Sequence, residues 1–232
     1  MNPEDTCVVV TGASRGLGAY IAKQLSAQKF DVAGIARTED KDRTIPIYGC
    51  DVADGENVRL VAREISKLHK PVRAVINAAG IASMNLVVST PETTIKNIIS
   101  TNLVGTVNIN KSFSKLLIRN KGGRIINFST IAVSVGLAGE AVYAASKAGV
   151  ETFSRCFARE VSPHNITVNC IAPGPVDTDL IAKVPSGKID AIIEQQIIRE
   201  KATPSDIWDV AHLLLQEKAG GITGEVINVF GA

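Results

Sequence analysis

The chain has 232 residues, 45% of them hydrophobic, and its 25 basic and 23 acidic residues nearly cancel. No run of roughly 18 apolar residues offers a bilayer span, and no basic stretch interleaved with aromatics offers a surface for nucleic acid or an anionic membrane. Cys7, Cys50, Cys156 and Cys170 are scattered without paired spacing, which disfavours zinc, any other metal centre and a disulfide framework; they are expected to be reduced packing residues of a cytoplasmic protein.

In chain order, short β-branched runs alternate with longer amphipathic segments. CVVVTG precedes 17 to 29, DVAGIAR follows, and IPIYGCDV precedes 55 to 69. VRAVINAAG leads into 91 to 119, GRIINFST into 139 to 161, and ITVNCIAPG into 204 to 217, before GEVINVF closes the series. Strands apolar nearly throughout belong in a sheet covered on both faces, and repeated strand–helix alternation implies right-handed parallel βαβ units. The expected fold is α/β, a single domain over 1–232, with a doubly wound parallel sheet of about seven strands and helices on both faces. Only TEDKDRT lies between Arg37 and Ile45, too short for a crossover helix, so a bare loop is expected there. The opening MNPEDTCVVVTGAS lacks the basic and long apolar regions of a secretory leader, and none is expected.

The first strand-to-helix junction, VVVTGASRGLGAYIAKQL, carries Gly12, Gly16 and Gly18. Glycine lets the backbone turn tightly and approach a ligand, and the free N–H groups of the helix start favour phosphate. Following the first strand and opening the first helix, this is where a dinucleotide fingerprint has meaning. At the tip of the second strand an acidic residue would select NAD by accepting from the ribose 2′-hydroxyl. This chain instead offers Ala36 then Arg37, and Arg15 sits inside the glycine turn. Two guanidiniums with no carboxylate at the strand tip favour NADPH/NADP over NAD, and Glu39 and Asp40 are expected to be solvated farther along the loop.

In GEAVYAASKAGVETFSRCFAREV, Tyr143 and Lys147 are four residues apart in a helical pattern, which places them on one face. An ammonium beside a phenol favours the phenolate and is expected to move the tyrosine pKa down from about 10. The alternative is an ordinary packed tyrosine with a surface lysine.

Together these segments resemble the classical short-chain dehydrogenase/reductase family over essentially the whole chain. TGASRGLG is similar to its TGxxxGxG turn, CDV to its adenine-contacting pair, NAAG at 77–80 to its NNAG-like strand end, TNLVG to the segment bearing the helix asparagine, YAASK to YxxxK, and APGPVDTDL to PGxVxT. GRIINFST and ITVNCIAPGPVDTDL resemble most the 3-oxoacyl-acyl-carrier-protein reductase-like branch. The resemblance implies a dinucleotide held by Gly12, Ser14, Arg15, Gly16, Leu17, Gly18, Arg37, Asp51, Val52, Asn77, Ala78, Ala79, Gly80, Pro173, Gly174, Val176 and Thr178, together with Tyr143 and Lys147. It implies Tyr143 as the proton donor, Lys147 on the nicotinamide ribose, and Asn102 supporting Lys147 through an ordered water. A family serine thirteen positions before the tyrosine binds the substrate carbonyl; the count lands on Thr130, not Ser129, so Thr130 inherits the role with a methyl group added.

The reaction expected from the resemblance is NADPH-dependent reduction of a carbonyl, a 3-oxoacyl thioester or similar ketone, to a secondary alcohol. The alternatives are a catalytically weak dinucleotide-binding regulatory or assembly subunit and an alcohol dehydrogenase acting on a sugar or steroid. Substrate would be shaped by 132–138 and by a helical lid around 179–203 carrying Lys183, Lys188, Arg199 and Lys201. The expected partner is a small-molecule or carrier-bound carbonyl substrate. The long segments 91–119 and 139–161 and the ending GEVINVFGA, which has Phe230 where the family has an acidic–glycine ending, suggest a homodimer or homotetramer.

Overall fold

The computed structural model describes residues 1–40, 44–178 and 186–231, the side chains of Ser186 and Lys188 excepted. Seven strands, β1 (Cys7–Thr11), β2 (Asp31–Ala36), β3 (Ile47–Gly49), β4 (Val72–Asn77), β5 (Gly123–Phe128), β6 (Ile166–Pro173) and β7 (Val226–Val229), form one sheet. Their order is β3-β2-β1-β4-β5-β6-β7, and every pairing is parallel. The chain reverses its direction of travel across the sheet between β1 and β4, and a parallel sheet opens a ligand crevice at the carboxyl ends of such strands.

The helices are α1 (Gly16–Ala27), α2 (Gly55–Leu68), α3 (Glu92–Ile98), α4 (Gly105–Arg119), α5 (Ala132–Val135), α6 (Ala141–Val161), α7 (Ser186–Ile193) and α8 (Pro204–Leu215). Alternation along each strand divides the core. Cys7 and Val9, with Val75, Ile125 and Val168, pack with residues of α2, α4 and α6 on one face; Val8 and Val10, with Ile76, Ile126 and Ile171, pack with α1 and α8 on the other. Burial on both faces explains why these strands read as continuous apolar runs rather than as alternating ones.

Helix starts follow local chemistry. The Asp54 side chain accepts from Glu56 N and Asn57 N, both at 3.0 Å, to begin α2. Thr203 and Asp206 form a reciprocal capping box on α8. The segment 91–119, expected as one helix, is broken in register: between α3 and α4 lies a π-helical stretch, Ile99–Val104, which contains Asn102. An extra residue per turn here cannot be read from a 3.6-residue apolar pattern. Between β2 and β3 no helix occurs among the described residues, and Asp40 pairs backbone to backbone with Ile47. Asp40 is thus held against β3 and half-buried, while Glu39, its Cβ close over Gly49, is exposed as expected.

At the amino ends of the strands, His69 ties three elements together. Its Nδ1 lies 2.8 Å from Asp31 Oδ1, its Nε2 2.8 Å from the Tyr48 hydroxyl, and Asp31 Oδ2 accepts from Lys70 N at 2.8 Å. Cys7, Cys50 and Cys170 are buried, but Cys156 is exposed, contrary to the expectation that all four cysteines pack. Position 156 falls on the outward face of α6, which spacing of cysteines alone does not disclose. At the other end of the chain, Phe230 adopts φ +70°, and its carbonyl accepts from Ile198 N at 3.0 Å.

Candidate active site

The carboxyl ends of β1, β4, β5 and β6 bring the expected residues to one edge of the sheet. Gly12 turns the chain at φ +69°, and a Cβ there would stand 2.9 Å from Ala78 O and 3.0 Å from Ala79 N. Ala79 N also donates to Thr11 Oγ1 at 3.0 Å. The glycine turn and the NAAG strand end are therefore one wall-to-wall crevice that only glycine permits. Gly18 is equally constrained, since a Cβ would lie 2.4 Å from Gly12 O. Gly16, at φ +56°, lies opposite Thr178, whose Cβ would be 3.8 Å from a Cβ built on it.

Arg15 is the N-cap of α1 and gives no side-chain cap, so the first N–H groups of α1 remain available to an anion. Ser14 and Arg15 are exposed beside this opening; Leu17 is half-buried against the α1/α8 core. Arg37 is exposed directly after β2, while Asp51 follows β3 with its carboxylate accepting from Ala53 N at 2.9 Å. Val52 is buried against Gly105, where a Cβ would approach Val52 Cγ2 to 2.6 Å. Beyond β6, Pro173 and Val176 are buried, Gly174 and Thr178 are half-buried, and Thr178 Oγ1 donates to Val176 O at 3.3 Å. These residues fit a bound dinucleotide: a glycine cradle and an uncapped helix start meet at one crevice, and Arg15 and Arg37 are exposed at the start of α1 and the tip of β2.

The side chain of Asn77 is engaged inside the protein. It is buried and its Nδ2 donates to Asn127 Oδ1 at 2.7 Å. Asn127 Oδ1 also accepts from Asn110 Nδ2 at 3.1 Å, and Asn127 Nδ2 donates to Ser154 Oγ at 2.7 Å. The cause is parity: Asn77 shares the α2/α4/α6 face with Val75, so its amide turns into the layer between sheet and helices. Motif reading had no signal for this row, because its members are isolated asparagines in otherwise apolar strands.

Tyr143 and Lys147 lie on successive turns of α6. The Thr130 hydroxyl lies close enough to the Tyr143 phenol to lower its pKa, and Thr130 Oγ1 accepts from Ala132 N at 3.3 Å. Lys147 is buried and donates from Nζ to Phe128 O at 2.8 Å. Asn102 is fully buried in the π-helical stretch; its amide grips Ile81 in both directions, Nδ2 to Ile81 O and Ile81 N to Oδ1, each 2.9 Å, and also donates to Ser146 Oγ at 3.0 Å. Lys147 Nζ and Asn102 Oδ1 both border Gly80, lying 3.5 and 3.4 Å from a Cβ built there. The side chain of Asn102 thus holds the loop after β4 and the α6 turn that carries Lys147.

The electrostatics overturn one expectation. Burial, with Glu140 nearby, pushes the Tyr143 phenol up to about 12, and the Thr130 hydrogen bond opposes this. Burial also pushes the Lys147 ammonium down to about 8. Spacing of four residues stacks the pair, but the ammonium bonds the Phe128 carbonyl, and desolvation is the largest influence on the phenol. At neutral pH the tyrosine holds its proton.

Ser129 and Thr130 divide cleanly. Ser129 is buried, and its hydroxyl donates to the Glu151 carboxylate of α6; the Thr130 hydroxyl is the one near Tyr143. Of the lid, 179–185, with Lys183, lies outside the described residues, as does the Lys188 side chain; α7 follows, and Lys201 pairs with Asp177 at 2.8 Å and Arg199 with Glu194 at 3.7 Å. Away from this edge, Cys7, Asp31 and His69 bring potential ligand atoms within 4.8 Å of one another, a juxtaposition of three distant positions that cysteine spacing could not show.

A family model described as short chain dehydrogenase matches residues 6–188. The 3-oxoacyl-acyl-carrier-protein reductase FabG of Vibrio cholerae is 33% identical over 239 residues, covering 100% of this chain and 98% of the relative. The enzyme of the same name from Escherichia coli is 32% identical with the same coverage, and MabA of Mycobacterium tuberculosis is 32% identical over 97% of this chain and 91% of its own. Among solved structures, the ligand-free aldohexose dehydrogenase of Thermoplasma acidophilum superposes with TM-score 0.88 at 24% identity, covering 97% of this chain and 92% of that one. A short-chain type dehydrogenase/reductase from Mycobacterium ulcerans gives 0.90 at 23%, covering 99% and 90%.

Proposed function

Because the chain belongs to the short-chain dehydrogenase/reductase family and is an NAD(P)-dependent oxidoreductase, we propose that it reduces a 3-oxoacyl thioester or similar ketone to a secondary alcohol, with NADPH preferred. The observation that carries this reading is Tyr143 beside the Thr130 hydroxyl and one helical turn from a buried Lys147 that borders Gly80, across from the Gly12 turn.

When bound, a reduced nicotinamide supplies hydride to a carbonyl carbon. The chain's own groups do the rest. The Tyr143 hydroxyl, neutral because burial holds its proton, donates that proton to the substrate oxygen as negative charge develops there. Thr130 Oγ1 offers a second hydrogen bond to the same oxygen. Lys147, on the crevice side of Gly80, would hold the ribose, and its positive charge would favour the phenolate left behind. Gly12, Gly16, Gly18 and the start of α1 would cradle the pyrophosphate. Arg15 and Arg37 would take the 2′-phosphate, a reading supported by the exposure of both and by Asp40 being paired to β3. The exposed sides of α4 and α6 would pair in a homodimer or homotetramer, which light scattering reads directly.

The test is initial-rate nicotinamide absorbance with NADPH or NADH and a panel comprising a 3-oxoacyl thioester, a simple ketone and an aldose. Thioester-dependent oxidation of NADPH, at least roughly 10-fold faster than of NADH at equal low concentration, is expected, the scale of one charge-assisted contact. Binding of NADPH without turnover of any carbonyl would overturn the catalytic reading and leave a dinucleotide-binding subunit.

A further inference from the structure

We infer that Ser129 and Glu151 are positioning residues, a clamp by which α6 fixes the end of β5 so that the Thr130 hydroxyl meets Tyr143. The inference rests on the reductase reading for its kinetic consequence only.

Helix α6 grips the strand end at two consecutive residues. Lys147 donates to Phe128 O at 2.8 Å, and one turn farther on Glu151 accepts from the Ser129 hydroxyl. The next residue is Thr130. Its neighbours are fixed to β6, with Ser129 N to Ile171 O at 2.8 Å and Ile131 N to Pro173 O at 3.1 Å. Those backbone bonds set the height of the loop along the sheet but not its distance from α6; that separation is set by Lys147 and Glu151. Ser129 is 4% exposed, so its hydroxyl has exchanged water for this carboxylate, and such a charge-assisted bond is among the stronger ones. Lys147 borders Gly80 as well as Phe128, whereas Glu151, a turn farther from Tyr143, holds Ser129 and can serve as a fixed point. Removing the clamp would let Thr130 drift from Tyr143, and small displacements of a reacting group are kinetically expensive.

The experiment uses the full-length protein and the variants Ser129→Ala, Glu151→Leu, Glu151→Gln and the double variant Ser129→Ala/Glu151→Leu. Either of the first two is expected to lower kcat about 10-fold, short of the roughly 100-fold attainable by misplacement of about 1 Å, with the KM for NADPH little changed. Glu151→Gln keeps an acceptor oxygen and should restore near-normal kcat. The double variant should be no worse than either single one, the signature of a coupled pair. A readout independent of turnover is the ring Cζ resonance of Tyr143 in protein labelled at its three tyrosines, referenced to Thr130→Val. In Ser129→Ala and Glu151→Leu it should move towards the Thr130→Val position, and in Glu151→Gln it should not. Folded Ser129→Ala with unchanged kcat and an unchanged Tyr143 resonance would overturn the clamp. If the wild-type protein turned over no carbonyl, the reductase reading would fall and the resonance alone would decide the clamp.

Discussion

Lys147→Met should make the protein more stable and nearly inactive. The lysine is 5% exposed, and burial lowers its pKa from the ordinary 10.5 to about 8. At about 1.4 kcal/mol per tenfold change in proton affinity, the folded state disfavours the ammonium by about 3 kcal/mol. Methionine keeps the apolar stem and removes the charge, but it leaves the Phe128 carbonyl without its donor, a loss of about 1 kcal/mol. A net gain of about 2 kcal/mol at pH 7 follows. The sign with pH is fixed by linkage. Below about 8 the lysine is charged in both states, and the wild type carries the whole penalty. Between about 8 and 10.5 the unfolded chain binds more protons than the folded one, so wild-type stability rises with pH through that window and the advantage of the variant disappears. Urea unfolding of both proteins at pH 7 and near pH 10 measures this directly, and carbonyl reduction by the variant should fall at least about 10²-fold. A variant less stable than wild type at pH 7, or a difference that ignores pH, would refute the view that the buried ammonium is held against its own desolvation.

Thr130→Ser should retain most of the activity and Thr130→Ala should lose about 10²-fold in kcat, the scale of one donor to a developing oxyanion; steady-state assays of both decide whether the hydroxyl or the methyl matters. Gly18→Ala would put a Cβ 2.4 Å from Gly12 O, a backbone atom that cannot swing aside, so chemical denaturation should show a loss of about 1–3 kcal/mol and NADPH fluorescence a weakened complex. Arg37→Asp should lower kcat/KM with NADPH by roughly 10-fold or more and leave NADH equal or better, as a carboxylate at the strand tip would accept from a free ribose hydroxyl. Equal losses with both coenzymes would place Arg37 outside the selectivity determinant.

The parallel sheet was legible because burial on both faces demands continuous apolar strands, and CVVVT and ITVNCIAP have no other economical reading. Gly12, Gly16 and Gly18 were legible for a related reason: the close approach of Gly12 to Ala78 and of Gly18 to Gly12 admits no side chain, so the requirement is written as residue type. The π-helical stretch at Ile99–Val104 was not, since one extra residue in a turn shifts the apolar stripe by less than its own width. Nor was the meeting of Cys7, Asp31 and His69, whose proximity depends on strand order rather than on spacing.

At the site, local spacing conveyed adjacency but not environment. Four residues along a helix bring Tyr143 and Lys147 to one face whatever surrounds them, whereas the direction of their pKa values depends on how far water is excluded and on which group the ammonium faces. Here the surroundings are a sheet edge, and the Phe128 carbonyl, nineteen residues away in sequence, takes the lysine proton donor. The same limit applies to Ser129 and Thr130. Alternation says that adjacent side chains diverge and counting from Tyr143 picks Thr130, but that Ser129 is engaged by a carboxylate two helical turns beyond that tyrosine is not written in either motif. The two have one origin: α6 reaches back to β5 through Lys147 and Glu151, so the acidity of the phenol and the surroundings of the threonine are properties of the helix–strand contact rather than of either motif alone.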